Sequence, residues 1–424
     1  MANSEAHPVT TLRPTAPLVL VVGVFFIATA DALRRIQFDQ LTGSAVAGLL
    51  VTYALAGALL FRLVDPGTKT PTGREPGLRP YRAVPIALAI WLLWSLGVTV
   101  LNDGLTGSIA HPSTMYLGLV LGTWLMAQRS SLGTPDVLLK WTLIASTVLA
   151  VLFGIQILQY GFEPQGMISR RAFALTAMIA VAFLSAHWAK LRTPGRLLVL
   201  VLGVEIALSG SRTALLVAAL TFALAAVARH QGRMRTVVLR SLAGVGVLYA
   251  LVTYWAPLRD RFTEGDGGSI GGLQINTSGR EYFWGNLLAA FRENPIVGGG
   301  IGEAERVMIR YTPTINQPHN DYLRILVDSG VVGLALFLVG IALLAHRVWR
   351  LAFKDDTDRK ELHVAALLVL AAFLTSAYTD NPIVYPFVIY PMAAIIGCSL
   401  SRLAVPQAKA ADRLPERESV RLGS

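Results

Sequence analysis

The chain has 424 residues, of which 54% are hydrophobic and only 15% charged, and it carries a formal net charge of +11 with a mean hydropathy of +0.54. A soluble domain carries about 25% charged residues, so the composition excludes a soluble enzyme of ordinary make-up. The basic balance does not point to nucleic acid, because Lys and Arg collect in alternate loops between apolar runs rather than in one patch.

Residues 1–16 and 404–424 are polar ends without periodicity and read as disordered tails. Between them lie apolar runs at 17–36, 41–64, 83–101, 113–127, 137–159 and 171–189, then at 196–209, 211–228, 236–255, 328–349, 362–379 and 382–403. A helix needs about 20 apolar residues to cross a bilayer, where no water satisfies an unpaired backbone. The runs therefore predict an all-α polytopic membrane protein of about twelve transmembrane helices, a single transmembrane domain over 1–424. The first run leads into Asp31, Arg34 and Arg35 rather than a small-residue cleavage site, which argues for a retained span over a cleaved leader. The seventh and eighth runs are short and meet at Ser209-Gly210-Ser211, which reads as a tight helical hairpin or a pair of half-helices. The single cysteine, Cys398, falls in the last run and reads as a packing residue.

The cations set the orientation. Arg62 to Arg82, Lys190 to Arg196, Arg229 to Arg240, Arg347 to Lys360 and the tail from Arg402 form the basic loops. By the positive-inside rule these loops and both termini are cytoplasmic, and a large loop at 256–320 is extracytoplasmic, within an inner membrane. Arg34 and Arg35 run against that trend.

The large loop has its own texture. Gly265 to Gly272 is glycine-rich and reads as flexible, whereas Glu281 to Arg292 predicts an amphipathic helix with Phe283, Leu287, Leu288 and Phe291 on one side. Pro295 ends that helix, Gly298 to Gly302 makes a turn, a second helix covers Glu303 to Arg310, and a third begins at His319 after Pro313 and Pro318. The glycines permit the loop to move as a lid.

Several arginines stand at helix starts on the outer side: Arg170 and Arg171 at the sixth span, Arg212 at the eighth, and Arg280 after Ser278-Gly279. An arginine at the edge of a span is costly unless it faces protein or water. Its planar fork grips phosphate, and a helix N-terminus adds free N–H groups. Two arginine-plus-helix-start sites, at Arg212 and Arg280, point to a bound diphosphate. The same residues also fit plainer roles, since interfacial arginines snorkel to lipid headgroups and Arg280 suits a helix-start salt bridge. His319 is the candidate base, because imidazole titrates near neutrality and accepts a proton from a hydroxyl. The alternative is a histidine that caps a helix. Glu205, inside the seventh run, is placed to neutralise Arg212 across the hairpin. The Glu264-Gly265-Asp266 run lacks the spaced oxygens of a calcium loop, and the sequence carries no zinc spacing or phosphate-binding Gly-Lys loop.

Taken in order, Ser209-Gly210-Ser211-Arg212-Thr213-Ala214, Ser278-Gly279-Arg280 with Trp284, Gly298-x-Gly300-x-Gly302, and His319-Asn320-x-Tyr322-Leu323 with Ser329-Gly330 resemble the O-antigen ligase family. The resemblance covers residues 205–340. It implies a metal-independent inverting transferase that moves a glycan from undecaprenyl diphosphate to an acceptor, which for ligases is the lipid A–core, at the periplasmic face. It further implies that Arg212 and Arg280 hold the diphosphate, that His319 acts on the acceptor hydroxyl with Asn320, Asp321 and Tyr322 supporting it, and that Arg170 or Arg171 joins the site. No cofactor is implied, and the partners are the lipid-linked O-antigen, the lipid A–core and membrane lipids. The superfamily also holds O-antigen polymerases and protein oligosaccharyltransferases, and a lipid-linked oligosaccharide transporter is the reading from another class. A transporter would line a midplane pathway with its polar residues, whereas here they gather at the outer edge.

Overall fold

The computed structural model describes residues 84–102, 107–130, 134–161, 168–229, 254, 268–270, 273–275, 280–311, 317–354 and 359–401. The apolar runs 17–36 and 41–64, nearly all of 236–255, both tails and most of 256–279 lie outside the described residues. The described chain is predominantly helical. In order, the helices are α1 (Ile86–Asn102), α2 (Gly107–Leu117), α3 (Thr123–Arg129), α4 (Thr134–Tyr160), α5 (Arg170–Ala186), α6 (Thr193–Leu208) and α7 (Arg212–Arg229). The second half holds α8 (Arg280–Glu293), α9 (Glu303–Tyr311), α10 (Asp321–Lys354), α11 (Lys360–Ser376) and α12 (Pro386–Leu400). Gly268–Ile270, in the stretch read from sequence as flexible, pairs antiparallel with Leu273–Ile275 just after it.

Among the described residues, α4 and α10 are long and apolar enough to cross a membrane. The surface of α4 shows what surrounds it. Ile144, Val148, Val151, Ile155 and Leu158 are exposed at alternating spacings of four and three, one stripe of the helix, while Thr142, Ser146 and Gln156 are buried. A helix that turns its large apolar residues outward and its small polar ones inward is matched to lipid, not to water. Helix α5 is buried from Ala172 to Ala186 apart from Thr176 and forms the axis of the described bundle, packed by α4, α6, α7, α11 and α12.

Helix starts and breaks follow local chemistry. Pro194 stands in the first turn of α6 and Pro386 opens α12, where the missing N–H costs nothing. The 113–127 run is not one α-helix: Gly118–Gly122 forms a π-helical turn between α2 and α3. A Cβ on Gly118 would lie 2.6 Å from the Tyr390 ring of α12.

The break in α10 organises the large loop. Gly330 has φ 68° and ψ −174°, a conformation that glycine tolerates and L side chains essentially do not. The backbone groups freed there are taken up by the segment between α8 and α9. Gly299 N donates to Val327 O at 3.0 Å, Gly300 N donates to Asp328 O at 2.8 Å, and Val331 N donates to Pro295 O at 2.9 Å. Trp94 of α1 donates its indole N–H to Ser329 O at 3.0 Å. Helix α1 completes the lock, with Asn102 Nδ2 on Gly298 O at 3.1 Å and Ile301 N on Thr99 Oγ1 at 2.8 Å. The Asp328 carboxylate caps α9 by accepting from Ala304 N at 2.8 Å. Glycine freedom in 298–302 therefore serves close packing against α1 and the break in α10.

Candidate functional site

The site is assembled at one end of the bundle, where α5, α7 and α10 begin and α11 gives way to α12. The start of α5 is fixed from α4: Gln156 donates from Nε2 to Ile168 O at 2.9 Å and accepts from Ile168 N at 2.6 Å. Phe153 stacks on Phe173 with centroids 3.9 Å apart. These contacts set the position of Arg170 and Arg171 on the rim.

Of that adjacent pair, Arg171 reaches inward. Its Nε donates to Asp380 Oδ1 and Oδ2 at 2.8 and 3.1 Å, and its Nη2 closes the fork on Oδ1. Nη2 also lies 2.5 Å from His319 Nδ1, and Nη1 lies 3.5 Å from Nε2. Asp380 is nearly enclosed, its side chain 5% exposed against 34% for Arg171, so the carboxylate serves as a fixed anchor for a guanidinium that remains partly exposed.

His319 sits at the opening of α10 with φ 55°, the one described non-glycine residue at positive φ. That backbone is held on every side. Arg324, fully buried, donates from Nη2 to Gln317 Oε1, and Trp284 Nε1 of α8 donates to Pro318 O at 3.2 Å. Asn320 caps α10 by accepting from Leu323 N at 3.0 Å. Asp321 ties the opening to the α11–α12 turn, its N–H donating to Ala377 O at 2.8 Å and its Oδ2 accepting from Ile383 N at 2.8 Å. The Tyr322 hydroxyl donates to Leu374 O at 2.8 Å. Asn320, Asp321 and Tyr322 thus hold the histidine through the scaffold. Burial, followed by the cations of Arg171, Arg280 and Arg324, pushes the His319 imidazole down to about 2, so it is neutral at any working pH.

Arg280 opens α8 close enough for its charge to act on His319. Arg212 opens α7 after the Ser209-Gly210 turn, where Gly210 has φ 71°. Its neighbour Thr213 shares a hydroxyl hydrogen bond of 2.6 Å with Thr379, one residue before Asp380. The structure therefore gathers Arg171 and His319 in direct contact, with the starts of α7 and α8 beside them. Glu205 lies elsewhere than expected: its Oε1 is 3.4 Å from where a Cβ on Gly154 of α4 would be, and its Oε2 has no hydrogen-bond partner. Among the described residues, no ion pair joins it to Arg212.

Two members of the cluster were not singled out from sequence, Asp380 and Asn381. Asn381 is fully buried, accepts nothing at Oδ1, donates its backbone N–H to Asp380 Oδ1 at 2.7 Å and brings Nδ2 to 3.0 Å from His319 Nδ1. The available signal was Thr379-Asp380-Asn381-Pro382, a polar turn with a proline between two apolar runs.

Residues 197–338 match the family model described as O-antigen ligase. Over 406 residues the chain is 24% identical to an O-antigen ligase of Pseudomonas aeruginosa PAO1, covering 91% of this chain and 90% of the relative.

Proposed function

We propose that this chain, a member of the O-antigen ligase family, transfers O-antigen from undecaprenyl diphosphate to the lipid A–core at the periplasmic face of the inner membrane. The chain would cross that membrane about twelve times, with both termini cytoplasmic and 256–320 forming the periplasmic loop. The observation that carries the reading is the cluster of Arg171, His319 and Asp380, with the helix starts of Arg212 and Arg280 beside it.

In this reading Arg212, Arg280 and Arg171 hold the donor diphosphate, with Arg170 on the rim. Diphosphate is a good leaving group, and fixed guanidinium groups in a partly dehydrated cavity stabilise the charge that develops on it, a task that a metal performs in other transferases. The acceptor hydroxyl gives its proton to His319 and its oxygen attacks the anomeric carbon from the side opposite the diphosphate, with inversion. The donor's own charge strengthens the base. A diphosphate beside Arg171 and Arg280 offsets the cations that hold the imidazole low, and so raises its affinity for a proton. The lipid-linked donor brings its own activation, so no nucleotide or other cofactor is called for.

The test is a lipopolysaccharide gel from a deletion strain complemented with wild type or with His319→Ala at matched membrane abundance. Bare core in the deletion and His319→Ala strains, with long glycan retained on the lipid carrier, is the expected result. Core bearing a single repeat unit would instead assign the chain as a polymerase, and transfer retained by His319→Ala would remove the histidine from the chemistry.

A further inference from the structure

The imidazole of His319 meets two N–H groups at the same atom. Arg171 Nη2 lies 2.5 Å and Asn381 Nδ2 lies 3.0 Å from Nδ1, whereas Nε2 has only Arg171 Nη1 at 3.5 Å. A ring nitrogen that accepts cannot also carry hydrogen, so the hydrogen of this neutral ring sits on Nε2. That is the wrong tautomer for a base that must take a proton at Nε2.

Asn381 carries the complementary anomaly. It is fully buried, its Nδ2 is directed at His319, and its Oδ1 has no hydrogen-bond partner. A buried acceptor left unmet is destabilising, because it has given up its hydrogen bonds to water without a replacement. Half a turn of the amide interchanges oxygen and nitrogen without moving the rest of the side chain. Oδ1 then stands beside Nδ1 and gains a partner, provided that Nδ1 carries the hydrogen and Arg171 has withdrawn its own N–H.

We infer that Asn381 is a positioning residue that switches the tautomer of His319: when a diphosphate draws Arg171 off Nδ1, the ring gives its Nε2 hydrogen to solvent and takes one up from solvent at Nδ1, where the turned amide oxygen of Asn381 accepts from it and Nε2 is left free. This rests on the reading of His319 as the base. The acceptor hydroxyl proton then passes to Nε2, leaving an imidazolium whose Nδ1–H is held by Asn381. The acceptor oxygen bonds to the anomeric carbon as the glycosyl–phosphate C–O bond breaks, and the electron pair leaves on the diphosphate. Arg171 from α5, Arg280 from α8 and Arg324 from α10 face the ring as cations, and Asp380 from the α11–α12 turn holds Arg171. The free base exists only while the donor is bound.

The first measurement is histidine ¹⁵N spectra of the full chain in lipid nanodiscs, with the His319 signal assigned by its loss in His319→Ala. Without ligand the hydrogen is expected on Nε2; with undecaprenyl diphosphate bound, as followed by ³¹P, it is expected on Nδ1. An unchanged tautomer with bound diphosphate overturns the switch, and failure of the diphosphate to bind overturns both the switch and the donor-site reading. The second measurement is kinetic. Asn381→Leu, which lacks both polar atoms, is expected to lower kcat on the order of 100-fold or more, with the acceptor KM within about threefold. Asn381→Asp keeps an acceptor but no donor, so it is expected to stay within about tenfold of wild type and to shift the acid limb of the kcat profile upward. Wild-type turnover by Asn381→Leu, or an Asn381→Asp as inactive as Asn381→Leu, sinks the inference. Full transfer by His319→Ala would sink the base reading on which it rests.

Discussion

The indole N–H of Trp284 reaches the carbonyl of Pro318 at 3.2 Å, so helix α8 of the large loop grips the backbone one residue before His319. Trp284→Phe keeps an aromatic ring against Tyr378, now 6.0 Å away edge to face, and deletes only that hydrogen bond. The expected effect is a three- to tenfold fall in kcat, or about 1 kcal/mol, with lipid donor binding unchanged. Steady-state kinetics on purified protein check this, and a fall confined to donor affinity would contradict it.

Arg171→Lys keeps the charge and loses the fork that holds Asp380 and meets His319. A single ammonium cannot satisfy both partners, so kcat/KM for the donor should drop on the order of 100-fold. Arg170→Lys, which leaves the Arg171 fork in place, should stay within about threefold. Equal losses in the two variants would show that Arg171 has no special place.

Acid should weaken the ligand-free protein through His319. The ring stays neutral in the folded chain because burial and three arginines hold it at about 2, whereas the unfolded chain protonates near the ordinary histidine value of about 6.5. Below that ordinary value the unfolded state binds the extra proton, so stability is lost as pH falls from about 6.5 toward 2 and is unaffected by this group above it. Melting curves at pH 7.5 and 5.5 should therefore separate by less in His319→Gln than in wild type. The same separation in both proteins would assign the acid sensitivity to other groups.

The outward stripe of α4 predicts its own mutational pattern. Val151→Arg places a charge among Ile144, Val148, Ile155 and Leu158, all exposed. At the centre of a span this costs about 2.5–3.5 kcal/mol of insertion. The yield of monodisperse, detergent-extracted protein should fall several-fold. An unaffected yield would mean that water and not lipid covers this face.

The helices were readable where hydropathy alone decides them. The 137–159 run became Thr134–Tyr160 and the 171–189 run became Arg170–Ala186, because a long apolar run has few other ways to satisfy its backbone. The 113–127 run is helical throughout, but hydropathy does not show its π turn at Gly118–Gly122, beside which the ring of Tyr390 packs from the far end of the chain. Helix α10 begins at Asp321, two residues from the start read at His319, but hydropathy does not show that Arg324 is enclosed against its near neighbours Asp321 and Gln317. His319 and the arginines stood out as costly residues in ordered motifs. Asp380 and Asn381 did not, because two short polar residues between apolar runs look like any turn until the fold sets them beside His319. The pairing of Glu205 with Arg212 was inferred from nearness in sequence. In the structure the Glu205 carboxylate faces α4.

The crossing of Gly298 and Gly330 bears on how this sequence can change over time. A Cβ on Gly298 would lie 2.5 Å from the Gly330 nitrogen, and one on Gly330 would lie 2.1 Å from the Ile296 carbonyl oxygen. Both obstacles are main chain, which no substitution elsewhere can shorten. Crowded pairs of side chains can drift by exchanging large for small across a contact, but these two positions have nothing to exchange. Each must hold its glycine independently, so an alignment of relatives that keep this crossing should show two invariant columns with no covariation between them.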